Sequence, residues 1–180
     1  TARRAAAHDY PGRADVVVIA DSMQPETLDA LRTRPVRVVE VDFTTSTKAK
    51  ALTAALDALP AADYDAAVVL DADNVMAPGF LMEMGKALAS GASIVQGRRV
   101  AKNQETGVAA LDSFSEAINN TLFRRGHRAM GLSAALIGSG MAFDDALFRS
   151  IMPKVQAVGG FDKELELRLL RDGQDRKSTR

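Results

Sequence analysis

YDAAVVLDADNVMAPG, residues 64–79, is the stretch on which the reading of this chain turns. Small and β-branched residues from Ala66 to Leu70 run into two carboxylates one residue apart, Asp71 and Asp73, with Asn74 directly behind. A short apolar run bounded by turn residues reads as a buried strand, and the carboxylates then lie at its exit. Two neighbouring negative charges repel and cost desolvation, so a chain that presents them commonly brings a cation or a reaction to balance them. A solvated turn at a strand end uses the same residue types. The residues of this stretch alone leave both readings open.

On either side the pattern alternates between two periods. ADVVVIAD (14–21), VRVVEVD (36–42) and ASIVQGRR (92–99) read as further strands. QPETLDALRT (24–33), STKAKALTAALDAL (46–59) and PGFLMEMGKALAS (78–90) read as helices. Pro25 and Glu26 suit a first turn, Ser46 or Thr47 can cap the second helix, and Gly91 ends the third. Strand–helix alternation with short connections predicts a mainly parallel sheet with helices on both faces. Ligands of such sheets sit beyond the carboxyl ends of the strands, where Asp21 and the Asp71–Asp73 pair both fall.

The second half reads differently. GVAALDSFSEAINNTLFRRGHRAM (107–130) has apolar residues at helical spacing, and SAALIGSGMAF (133–143) reads as a strand broken by Gly138 and Gly140. DDALFRSIM (144–152) reads as a short helix, PKVQAVGG as a loop and FDKELELRLLRDG (161–173) as an amphipathic helix. The polar tail 174–180 reads as frayed. With 180 residues, the chain is expected to form a single domain.

Composition narrows the chemistry. There is no Cys, which removes disulfides, zinc–thiolate sites and thiol nucleophiles. Lys plus Arg and Asp plus Glu are 23 each, so no net field draws in nucleic acid or an anionic membrane. His8 and His127 stand apart in polar contexts and read as surface residues. The longest uncharged run is too short and too rich in Gly and Ser to span a bilayer, so the chain reads as soluble.

Asp71 and Asp73 at one strand end could hold magnesium or manganese, ions that take carboxylate oxygens together with substrate phosphates. Lys48 and Lys50 begin the second helix and could meet phosphate or base edges; helical lysines equally face water. Gly138 and Gly140 allow close backbone approach to a ligand, and Asp162 opens the last helix, where the positive end of the dipole favours a carboxylate.

In order, the blocks HDYPGRADVVVIADS, TKAKALTAAL, VVLDADNVMAPGFL, GSGMAF and GGFDKELELRLL resemble the inverting nucleotide-sugar glycosyltransferases of family 2. The resemblance implies a GT-A fold, a Rossmann-like α/β arrangement with a mixed, mainly parallel sheet, here without the strand that usually comes first. It implies that Asp21 recognises the base, that Lys48 and Lys50 lie near the nucleotide, and that Gly138 and Gly140 approach the donor. By the same resemblance Asp71 lies near ribose or metal, Asp73 binds Mg2+ or Mn2+ directly, and Asp162 is the general base. Phe161 stands where the family's paired Glu usually is. Arg168 matches a basic residue later in that helix, while Arg98 and Arg99 are candidates for acceptor or phosphate contact. Implied partners are a nucleoside-diphosphate sugar and a hydroxyl acceptor (glycan, lipid or small molecule), with no nucleic acid. The implied location is the cytoplasm, at or away from the membrane face, and peripheral membrane contact is compatible with it.

Two alternatives accompany this reading. AAVVLDADN also resembles the first motif of haloacid dehalogenase-type phosphatases, with Asp71 as nucleophile, Asp73 as acid and FDDAL (143–147) as the later acidic pair. The other is a nucleotide-binding domain without catalysis.

Overall fold

The computed structural model describes residues 2–61, 63–100, 135–173 and 176–178. A short helix α1 (Ala2–Ala6) comes first, followed by strand β1 (Val17–Asp21), helix α2 (Pro25–Arg32), β2 (Arg37–Val41) and α3 (Lys48–Asp57). Next are β3 (Ala66–Val69), α4 (Phe80–Ala89) and β4 (Ile94–Gln96). Beyond residue 134 come β5 (Met141–Asp144), α5 (Asp145–Ile151), a 3-10 turn (Met152–Lys154), α6 (Phe161–Arg171) and β6 (Arg176–Ser178).

Thr47 caps α3, its hydroxyl accepting the Lys50 backbone N–H at 3.2 Å, which satisfies one of the donors a helix start leaves open. Pro25 occupies the first turn of α2, where a missing N–H costs nothing. Asp144 ends β5 and caps α5, accepting from the Leu147 N–H at 2.9 Å. Asp145 is 4% exposed and pairs with Arg149, whose guanidinium also reaches the carbonyls of Leu56 and Leu59 at the end of α3. The FDDAL carboxylates are thus engaged in holding α5 against α3.

The strands form two sheets. β1 and β2 pair in parallel, Val17 opposite Arg37 through Asp21 opposite Val41. The second sheet has the order β3-β5-β4-β6. β5 runs antiparallel to both β3 and β4, while β6 lies parallel to β4. Within each sheet every described strand except β5 shares one direction. β5 is the exception to the parallel pairing that strand–helix alternation predicts. Two further expectations change. The strand read over 133–143 is confined to Met141–Asp144, the glycine-containing part before it being a loop. Part of the tail read as frayed, Arg176–Ser178, is a strand, because the edge of β4 supplies it with backbone partners. The helix read over 107–130 lies outside the described residues.

Alternation along the strands divides the core into two layers. Ile94, Met141, Phe143 and Val69 face α3, α5 and α6, and Phe143 stacks on Phe148 with ring centroids 4.6 Å apart. Val95, Ala142 and Val68 face the other way, onto Met84, Phe80 and Leu88 of α4. The second sheet is therefore covered on both faces, as near-continuous apolar strands require.

Among the described residues β1 is paired only through β2, and β3 only through β5. Between their open edges runs a groove of about 920 Å³ lined by Val17, Ile19, Val68, Leu81 and Met84, and it opens toward Lys48 and Asp71. His8, read as a surface residue, lines this groove half-buried, with its Nε2 buried and without a hydrogen-bond partner.

Candidate functional site

The stretch after β3 is a turn. The Asn74 N–H donates to the Asp71 carbonyl at 3.0 Å, so Asp71–Asn74 is a tight turn. Ser139 fastens it from the facing loop: its hydroxyl accepts the Asp71 N–H at 2.9 Å and is also bonded by the Asn74 side-chain amide. The carboxylates are left for other partners. Asp71 bonds the Lys48 ammonium, and Asp73 is exposed and without a hydrogen bond or ion pair among the described residues.

Gly138 and Gly140 adopt φ of +78° and +64°, values that favour glycine. The requirement at Gly138 is doubled, since a Cβ there would lie 3.3 Å from the Phe161 ring and 3.8 Å from Cβ of Asp162. That closeness seats the start of α6 against the glycine loop. Lys48 completes the assembly: its Nζ donates to the Gly138 carbonyl at 2.6 Å and stands 5.1 Å from the centre of the Phe161 ring. Lys48, Asp71, Gly138, Phe161 and Asp162 thus come together from four distant parts of the chain.

Other candidates stand elsewhere. Lys50 is exposed, donates to the Thr45 carbonyl at 2.8 Å and lies 5.9 Å from the Phe43 ring, so it shares a helix start with Lys48 but not a place. Asp21 closes β1, where the Ser22 hydroxyl lies between its carboxylate at 3.1 Å and that of Asp42 at 3.0 Å. Arg168 forms two bonds to Glu164, at 2.9 and 2.6 Å, and Glu164 in turn accepts the N–H groups of Gln156 and Ala157. The Arg168 bond, opposed by some desolvation and reinforced by those N–H groups, holds the Glu164 carboxyl below the ordinary range. Arg168 therefore serves the base of α6. Arg98 and Arg99 are exposed beyond β4 and lead into the stretch 101–134, outside the described residues.

Sequence reasoning missed four contributors. Gln96, at the end of β4, is fully buried. Its oxygen accepts the Ile137 N–H at 3.0 Å, and its amide nitrogen reaches the carbonyls of Gly97 and Ser139 at 3.0 Å, which shapes the glycine loop. A lone amide ending the apolar run SIVQ was its visible signal. Ser139 sat unread between two glycines that drew the attention. Ser22, with a left-handed φ of +50°, and its neighbour Asp42 gave no sequence signal.

A divalent ion fits the donor set only in part. No group of three or more His, Cys, Asp or Glu side chains that could hold a metal occurs among the described residues. Two carboxylates completed by substrate phosphates is nevertheless the pattern magnesium commonly uses. No helix among the described residues is long and apolar enough to cross a membrane.

The family model described as "Glycosyltransferase like family 2" matches residues 1–177. Among solved structures, a mycobacterial protein is 20% identical with a TM-score of 0.55, the match covering 91% of this chain and 54% of that one. This chain therefore spans about half the length of that protein. A 4-diphosphocytidyl-2C-methyl-D-erythritol synthase from Anaerococcus prevotii DSM 20548 is 13% identical with a TM-score of 0.53, over 92% of this chain and 68% of that one. These likenesses establish the fold. No curated protein matches the sequence.

Proposed function

The chain belongs to glycosyltransferase-like family 2, and from that premise we propose that it moves a sugar from a nucleoside-diphosphate donor to an acceptor hydroxyl, with inversion at the anomeric carbon. The observation that supports this reading most directly is the gathering of Asp71, Lys48, Gly138 and Asp162 at one end of the second sheet.

Asp71 and Asp73 would hold Mg2+ or Mn2+ together with the donor diphosphate, and the ion supplies charge stabilisation for the departing phosphate. Asp73 is exposed on the turn and accessible to such an ion. Asp21 is assigned to the nucleotide base, and Lys48 with the Gly138–Gly140 loop to the donor side of the site. Lys50, Arg98 and Arg99 are assigned more loosely, to nucleotide, phosphate or acceptor.

Asp162 acts as general base. It takes the proton of the acceptor hydroxyl as that oxygen bonds to the anomeric carbon, while the bond from the same carbon to the diphosphate oxygen breaks and the nucleoside diphosphate leaves. Its place at the start of α6, half-buried against Gly138, holds it to a narrow range of positions.

Family membership weighs against the phosphatase alternative, as do Asp144 and Asp145, which cap α5 and pair with Arg149. The test is a screen of nucleotide sugars by metal-dependent thermal shift, followed by an assay for released nucleoside diphosphate. Shift with release supports the transferase, and shift without release supports a binding domain. A trapped aspartyl-phosphate would establish the phosphatase instead.

A further inference from the structure

Lys48 touches the exit of β3, the glycine loop and the start of α6 at once. Its ammonium has three donors and no acceptor. One bonds the Asp71 carboxylate and another the Gly138 carbonyl, and the charge faces the Phe161 ring, a surface that attracts cations. Lys50 has its own carbonyl and its own ring two residues away, so the gathering at Lys48 reflects its position on α3 and not the basic character of the segment.

The two carboxylates of the turn are consequently unequal. Asp71 already has a cation, whereas Asp73 has no ionic partner among the described residues. The Lys48–Asp71 pair is also reachable: 32% of the lysine side chain and 41% of the aspartate side chain are exposed. A divalent ion arriving from water meets an anion that is accessible and already neutralised.

We propose that Lys48 is a built-in counter-cation that a divalent ion must displace from Asp71 when the site loads. The lysine thereby sets the metal affinity of the turn. Its bond to the Gly138 carbonyl and its contact with Phe161 keep the displaced ammonium within the site instead of releasing it to solvent. This rests on the sugar-transfer reading only for the assumption that Asp71 faces the metal.

The experiment titrates Mn2+ alone, without nucleotide, into the purified chain and follows free Mn2+ by electron paramagnetic resonance. Lys48→Met should bind Mn2+ about tenfold more tightly than the wild type, the lower end of what removing an adjacent opposite charge does to a carboxylate's affinity for a cation. Lys48→Arg, which keeps the charge, should stay near wild type. Lys48→Gln serves if the Met variant fails to fold, with its unfolding midpoint as the check, and should tighten binding in the same direction. Equal or weaker Mn2+ binding in the neutral variants, or no Mn2+ binding in any form, overturns the proposal. The two readings fail separately: equal affinities alongside donor turnover by the wild type sink the counter-cation alone, whereas tighter binding in Lys48→Met with no turnover of any donor by the wild type sinks the transferase reading alone.

Discussion

Gln96 has no solvent exposure, and its amide bonds the backbone of the glycine loop at both ends. Gln96→Leu keeps the volume and strips the bonds, leaving the Ile137 N–H and the Ser139 carbonyl unsatisfied in a closed interior. Each such orphan costs about 1–3 kcal/mol, so the variant should lose about 2–6 kcal/mol, read as a lower urea midpoint at unchanged slope. Asp162→Asn is the opposite kind of change. It should leave stability and donor binding near wild type while slowing transfer by about a hundredfold to ten-thousandfold, the usual contribution of a general base. Near-normal turnover would remove Asp162 from that role. Asp73→Ala should abolish metal-dependent donor binding in calorimetry, and unchanged binding would exclude Asp73 as a ligand. These residues were visible in the sequence because chemistry had left them in exposed or turn-like contexts. Gln96 and Ser139 were harder to see, since a buried polar side chain is recognised by its partners, and those lie 43 residues away for Gln96 and 65 and 68 residues away for the Ser139 hydroxyl.

The start of α6 carries Asp162 one residue after the buried Phe161, and the helix itself is fastened by Glu164. That carboxylate takes Arg168 on one oxygen and the N–H groups of Gln156 and Ala157 on the other, tying the incoming loop to the helix. Its proton affinity is depressed in the folded chain relative to the ordinary value of 4.5. The stabilisation is therefore complete above the unfolded-state value and lost as pH falls through the lower folded value. Wild type should exceed Glu164→Gln in stability at pH 7, and the gap should close below about pH 4, as urea midpoints across pH will show. A gap independent of pH would remove Glu164 as its source. The helices and the first strands were readable at this scale, since apolar periodicity, Thr47 and Pro25 all act locally. The reversal of β5 and the strand at Arg176–Ser178 were not, because both depend on an edge supplied by β4 from far along the chain.

Burial among the described strands is uneven. All three residues of β4 are buried, as are three of the four in β5, whereas β1 contributes Ala20 alone and β2 none. Amide protection falls with local burial, so native-state hydrogen exchange should find β1 and β2 exchanging well before β4 and β5. Uniform protection across both sheets would contradict this. The groove lined by β1 and β3 lies on the boundary between the two behaviours, with strand edges that are unpaired among the described residues and apolar side chains between them. Such edges are templates for other chains. For anyone preparing this polypeptide the result is a matter of shelf life. Concentrated stocks should grow turbid sooner than dilute ones, with the cloudiness starting from native material, and a short Val- and Ile-rich peptide that occupies the slot should keep them clear.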